Sequence, residues 1–168
     1  MRYIIRVLFF AMLCAPALAQ TSWVTLHDPA GAFSVDFPVA PTISNDSTKD
    51  ASGDTIPIVT YLYDPSSNIA LLIMVGDFSA VTLDVQKTMD GAVASVQEDR
   101  TLVSNSVDVR DGQTGRYIVA TDKDGNLVSD RVYLVNGRMY QAIVMLGPKA
   151  TPDDKAAADH FNASLHFP

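Results

Sequence analysis

With one cysteine, one tryptophan and three histidines among 168 residues, few chemistries are open to this chain. The cysteine, Cys14, falls in a leader-like segment, so the part expected to fold has no thiol for a disulfide, a metal or a nucleophile. His27, His160 and His166 have no metal-ligand spacing between them, and no serine occupies a G-x-S-x-G elbow. No glycine-rich loop is placed to cradle a phosphate, since Gly91, Gly112 and Gly115 read as helix or turn positions. No cofactor is expected.

Positive charge is scarce as well. Twelve Lys and Arg face nineteen Asp and Glu, for a net charge of −7, and loss of Arg2 and Arg6 with a leader makes the remainder more acidic. A polyanion is repelled over a Debye length of ~8 Å, so no nucleic-acid partner is expected and anionic membrane surfaces are poor partners. Long apolar runs are missing too: residues 7–13 fall far short of the ~20 needed to span a bilayer. The chain shows neither an internal repeat nor a low-complexity tract.

What is present begins with Arg2 and Arg6, the apolar run 7–13, Pro16, and Ala17-Leu18-Ala19 before Gln20. That order is a cleavable secretory signal, with cleavage after Ala19 and a periplasmic or secreted product. Leu13 stands before Cys14 where a lipoprotein signal wants a small residue. Residues 20–168 are then expected to form one cysteine-free α+β domain, long enough to bury roughly 70% of its unfolded surface without disulfides.

Within it, residues 23–26 read as a short strand and Asp28-Pro29-Ala30-Gly31 as a turn. Phe33, Val35 and Phe37 alternate with polar residues up to Pro38, the pattern of a half-buried strand. Residues 42–55, nearly devoid of apolar side chains, read as a loop. Residues 56–63 and 68–75 are strands joined by a turn over Asp64-Pro65-Ser66-Ser67, and the second, apolar on both faces, belongs in the middle of a covered sheet. Val85, Met89, Ala92, Val93 and Val96 recur at helical spacing within residues 83–100, capped by Thr82 or Asp84. Residues 101–110 read as a polar edge strand. Thr151, Pro152, Asp153 and Asp154 open a last helix that turns Ala157, Phe161 and Leu165 to the sheet.

Between the helices, residues 115–121, 127–135 and 138–146 form an antiparallel meander with turns at Asp124-Gly125 and Asn136-Gly137. Two-residue turns pair Tyr133 with Tyr140, Arg131 with Ala142, Ile118 with Arg131 and Arg116 with Tyr133. Alternation then places Arg116, Arg131, Tyr133 and Tyr140 on one face as a row of cations and aromatics. Such a row serves packing through cation–π contact, or it offers a small anionic ligand or a protein partner a patch on an acidic protein.

Asp122, Asp124, Asn126, Val128 and Asp130 alternate like calcium-loop donors, but Leu127 replaces the required glycine and Tyr133 the closing glutamate, so no metal is expected.

Two motifs carry a family resemblance. Gly31-Ala32-Phe33-Ser34-Val35-Asp36-Phe37-Pro38, and Gly137-Arg138-Met139-Tyr140-Gln141-Ala142-Ile143-Val144 followed by a helix with Phe161, Ser164 and Phe167, resemble the PsbP-like superfamily. The resemblance implies an antiparallel sheet with helices packed on its faces, an α/β/α sandwich, and an accessory or binding role without catalytic residues. Two other roles remain open: an extracytoplasmic hydrolase using His27 or His160 with an acid, and a structural component of an envelope assembly.

Overall fold

The alternating runs fold as strands and the two 3.6-period stretches as helices. The computed structural model describes residues 22–30, 32–49, 53–81 and 83–168; the leader with Cys14, Gly31 of the first turn and the candidate cap Thr82 lie outside the described residues. Strands β1 (Val24–His27) and β2 (Ser34–Phe37) pair as a separate hairpin. A seven-stranded antiparallel sheet follows in the order β3-β4-β5-β9-β8-β7-β6, built from β3 (Thr42–Lys49), β4 (Thr55–Ser66), β5 (Ile69–Asp77), β6 (Thr101–Arg110), β7 (Gln113–Thr121), β8 (Leu127–Val135) and β9 (Arg138–Leu146). Helix α1 (Val85–Gln97) lies between β5 and β6 in the chain, and α2 (Pro152–Ser164) follows β9.

Both sheet faces receive helical cover, and β5, apolar from Ile69 to Val75, buries Ile69, Leu71, Ile73 and Val75 on one of them. Tyr61, Leu71, Ile73, Tyr133, Tyr140 and Val144 face one side, where the β1–β2 hairpin, α2 and the tail behind it pack Phe33, Val35, Phe37, Phe161, Leu165 and Phe167 upon them. On the other side Met89, Ala92 and Val96 of α1 meet Ile118, Ala120 and Val132. Each fully buried Phe, Leu or Ile of these clusters contributes ~1.5–3 kcal/mol from transfer out of water. The result is the α/β/α sandwich that the sequence implies.

The caps follow the sequence chemistry. Asp84 Oδ1 accepts the Lys87 amide at 3.0 Å, and Thr151 and Asp154 exchange hydrogen bonds in a capping box with Pro152 in the first turn. Asn136 and Gly137, at φ 51° and 76°, form the expected tight turn, and Val135 pairs with Arg138, Tyr133 with Tyr140 and Ser129 with Val144.

Five expectations are corrected. Of the expected loop 42–55, residues 42–49 are a strand whose side chains are all exposed, so it carries no apolar alternation and is held through its backbone pairing with β4, while residues 50–52 lie outside the described residues. The β4–β5 turn is the tight Ser67-Asn68, with Ser66 opposite Ile69, because an irregularity between Tyr63 and Ser66 absorbs Pro65 within the strand. Val85 is 57% exposed at the start of α1, leaving burial to Met89, Ala92 and Val96. In α2 the fully buried alanine is Ala158, with Ala157 at the margin.

The fifth concerns the meander. Asp124-Gly125 is not a two-residue turn, since β7 ends at Thr121 and β8 begins at Leu127. Asp122 organises the five residues between: its Oδ1 accepts the amides of Asp124 and Asn126, both at 2.9 Å, and its Oδ2 accepts the Asn126 side-chain amide at 2.7 Å. The wider loop shifts β7 by one residue, so that Arg116 pairs with Val132 and Ile118 with Asp130. A one-residue slip exchanges the faces of a strand. Arg116 therefore shares the α1 face with Ile118 and Val132, opposite to Arg131.

Candidate functional site

The row expected from the sequence is divided. Tyr133 and Tyr140 are neighbours, but they stand in the core, 0% and 2% exposed. The Phe167 ring meets them edge-on at 5.0 and 5.5 Å. Arg131 shares their face at the margin. Its Nη1 lies 2.5 Å from Asp108 Oδ2, which also accepts the Tyr133 hydroxyl, and its guanidinium lies 4.0 Å from the centre of the Tyr117 ring. Burial raises the Asp108 carboxyl, but the hydrogen bonds from Tyr133 and Arg131 and the charges of Arg131 and Arg110 outweigh it and hold the group below its usual range. Burial and Asp108 push the Tyr133 phenol upward. The guanidinium of Arg131 is thus engaged inside the fold, Arg116 lies across the sheet, and the two cations do not converge on an anion.

A different constellation forms where β1, β2 and α2 meet. The β1–β2 register sets Thr25 opposite Asp36, and the Thr25 hydroxyl donates to Asp36 Oδ1 at 2.7 Å. Asp36 Oδ2 lies 2.9 Å from His160 Nε2, and its backbone amide donates to Ser164 Oγ at 2.9 Å, so one strand residue holds two residues of α2. The His160 ring stacks on Trp23, with centroids 3.9 Å apart and planes 19° from parallel. Burial raises the Asp36 carboxyl, yet the hydrogen bonds from Thr25 and His160 and the charges of His160 and His27 bring it below its usual value. The hydrogen bond to Asp36 and the stack on Trp23 fix the imidazole plane.

This braced pair borders a cleft of about 490 Å³ lined also by Pro38, Tyr63, Ile69 and Asp153. Two large aromatic surfaces, an aliphatic side chain and a few carboxylates give a ligand a face to stack on and groups to orient it. A smaller cavity of about 250 Å³ lies at the opposite edge of the hairpin, beside Arg138, whose Nε is 3.4 Å from Asp77 and whose Nη1 is 3.9 Å from Asp28.

The other histidines do not join the cleft. His27 ends β1 opposite Ser34, and His166 Nδ1 lies 3.0 Å from Asp111. The calcium-like alternation is accounted for by the Asp122 loop, and among the described residues no group of three His, Cys, Asp or Glu is placed to hold a metal ion. No described helix is long and apolar enough to cross a membrane. Sequence reasoning weighed His27 or His160 with an unnamed acid and left Trp23 as an ordinary strand residue. The signal it lacked was the link from His160 to Asp36, 124 residues apart, which no local spacing announces.

No protein-family model matches the chain, and no curated protein matches its sequence. Among solved structures it is similar to the solution structure of cyanobacterial PsbP (CyanoP) from Synechocystis sp. PCC 6803, at a TM-score of 0.53 and 17% identity, over 92% of this chain and 97% of that one. An antiparallel sheet with α2 and the amino-terminal hairpin on one face and α1 on the other, matched over nearly the whole of both chains, is the PsbP-like fold, and this chain has it.

Proposed function

We propose that this chain is an exported, non-catalytic accessory domain that holds a protein partner or small ligand in the cleft beside α2. The observation that supports the reading is the cleft itself, with Trp23 stacked on an imidazole braced by Asp36. Pre-formed concave sites with aromatic walls and few polar groups are the usual form of ligand pockets. The leader-like order of residues 1–19 supports export.

Trp23 is the single tryptophan, so its fluorescence reports on the cleft directly. Fractions of the cell envelope and a small-molecule library are screened by Trp23 emission together with thermal shift. The expected result is a saturable emission change with a raised melting temperature, both lost in Tyr63→Ala and His160→Ala. A screen in which no ligand acts, beside measurable turnover of a substrate, overturns the reading.

One observation favours a second reading, a hydrolase: His160, 2.9 Å from Asp36, lines the cleft. Against it, the imidazole uses Nε2 on Asp36, and among the described residues no serine or threonine hydroxyl is hydrogen-bonded to its ring. Ester or peptide hydrolysis by the wild type that disappears in His160→Ala moves the assignment to an enzyme.

A further inference from the structure

Strand β6 closes one side of the sheet. It pairs with β7, and among the described residues no strand covers its other edge. Outer strands are commonly guarded by brevity, proline, a bulge or exposed charge, because a free row of backbone donors and acceptors recruits further strands. The opposite outer strand, β3, exposes Asp46 and Lys49. β6 runs for ten residues and exposes Val103, Val107 and Val109 at 60%, 61% and 64%, together with Ser104, Asn105 and Ser106. Its two charged residues point into the protein: Asp108 binds Arg131 and Tyr133, and Arg110 Nη1 lies 2.7 Å from the Leu165 carbonyl. The charges that could guard this edge are engaged elsewhere.

The exposed stretch also reads the same in both directions, Val103-Ser104-Asn105-Ser106-Val107. Antiparallel pairing about a two-fold axis at Asn105 sets Val103 against Val107 of a second copy, Ser104 against Ser106, and Asn105 against itself. Each cross-strand pair is then chemically matched, aliphatic on aliphatic and amide on amide. We propose that β6 is a homodimer seam and that its occupant is β6 of a second copy of this chain.

Charge argues for the same place. A chain of net charge −7 repels its copy, and the repulsion is least where five consecutive exposed side chains carry no charge. The two-fold stands perpendicular to the sheet, so the sheets join edge to edge with both α1 helices on one side. Such a contact is isologous and closes on itself. The guard that β6 does possess is the irregularity between Leu102 and Ser104, a bulge that leaves Val103 unpaired with β7. The seam is therefore short, and the dimer exchanges with monomer.

Sedimentation velocity of the purified protein from about 10 μM to about 1 mM covers the range in which a short interface associates. The expected result is a weight-average mass that climbs from the monomer toward twice its value. Val107→Lys places a guard charge at an exposed position; it leaves the melting temperature of the dilute protein unchanged and keeps the mass monomeric throughout. Ser104→Lys does the same by an independent substitution. Register is tested by cysteines, since directly opposed residues have Cα atoms ~4.5–5.5 Å apart, within disulfide reach. Asn105→Cys faces its own copy and cross-links on mild oxidation, whereas Val109→Cys faces Thr101 and does not. A mass that stays monomeric over the whole series overturns the proposal. So does a dimer that both lysine variants leave intact, or a Val109→Cys protein that cross-links as fast as Asn105→Cys.

Discussion

Replacing Asp130 by asparagine should make the protein more stable, and by an amount that grows with pH. Asp130 lies in β8, 3% exposed, between Ile118 on one neighbouring strand and Ile143 on the other. Gln141 Nε2 donates to its Oδ2 at 2.9 Å, while Oδ1 has no partner. Burial pushes the carboxyl from 3.8 up to about 7, against the lowering effect of the Gln141 hydrogen bond and the Arg100 charge. Between these two values the folded chain keeps a proton that the unfolded chain has released, so stability falls as pH rises through that window. At 1.36 kcal/mol per pKa unit the loss reaches about 4 kcal/mol above pH ~7 and vanishes below pH ~4. Asparagine has the same shape, retains a carbonyl for Gln141 and carries no charge. Urea unfolding of both proteins at pH 5 and pH 8 should show the stability difference between Asp130→Asn and wild type widening by about 2–3 kcal/mol, or ~5–10 °C in Tm. Every other ionisable group is common to both proteins and cancels from the comparison. A difference that is the same at the two pH values would mean that the carboxyl ionises normally inside the fold, and the reasoning would fail.

Two glycines carry opposite predictions. A Cβ on Gly115 in β7 would stand 2.2 Å from the Val132 carbonyl oxygen and 2.6 Å from the Tyr133 ring, so Gly115→Ala should destabilise by about 3 kcal/mol or more and drop the urea midpoint sharply. A Cβ on the exposed, helical Gly91 meets nothing within 4 Å, and Gly91→Ala should stabilise by about 0.5–1 kcal/mol, read as a rise of a few degrees in Tm.

How much of this was legible depended on whether the deciding chemistry was local. Asn136-Gly137 needs only its own two positive φ angles, and the β8–β9 register followed from it residue for residue. Asp124-Gly125 looked alike, but there Asp122 gathers two amides and an asparagine side chain and opens the connection to five residues. The face pattern held a warning: only the shifted register puts Ile118 and Ala120 beside Val132 as one apolar surface for α1. β3 was illegible because a strand exposed along its whole length has no burial to imprint alternation on its sequence. The cleft was illegible for a third reason. Trp23, Asp36 and His160 come together through a hairpin docking on a helix at the other end of the chain, and each residue alone is unremarkable in its local setting.

The docking of that hairpin orders events in time. Ser34 and His166 exchange backbone hydrogen bonds, both at 2.9 Å, and the Asp36–Ser164 bond closes a loop of 128 residues. A two-stranded hairpin is marginal in water on its own, and contacts between such distant segments form slowly because loop closure must precede any gain from them. Until Phe161, Leu165 and Phe167 arrive, the sheet face bearing Tyr133, Tyr140 and Val144 stands open to water. A nascent chain therefore cannot close this side of its core until its final helix has been made, and until then the uncovered apolar face is what a chaperone would hold.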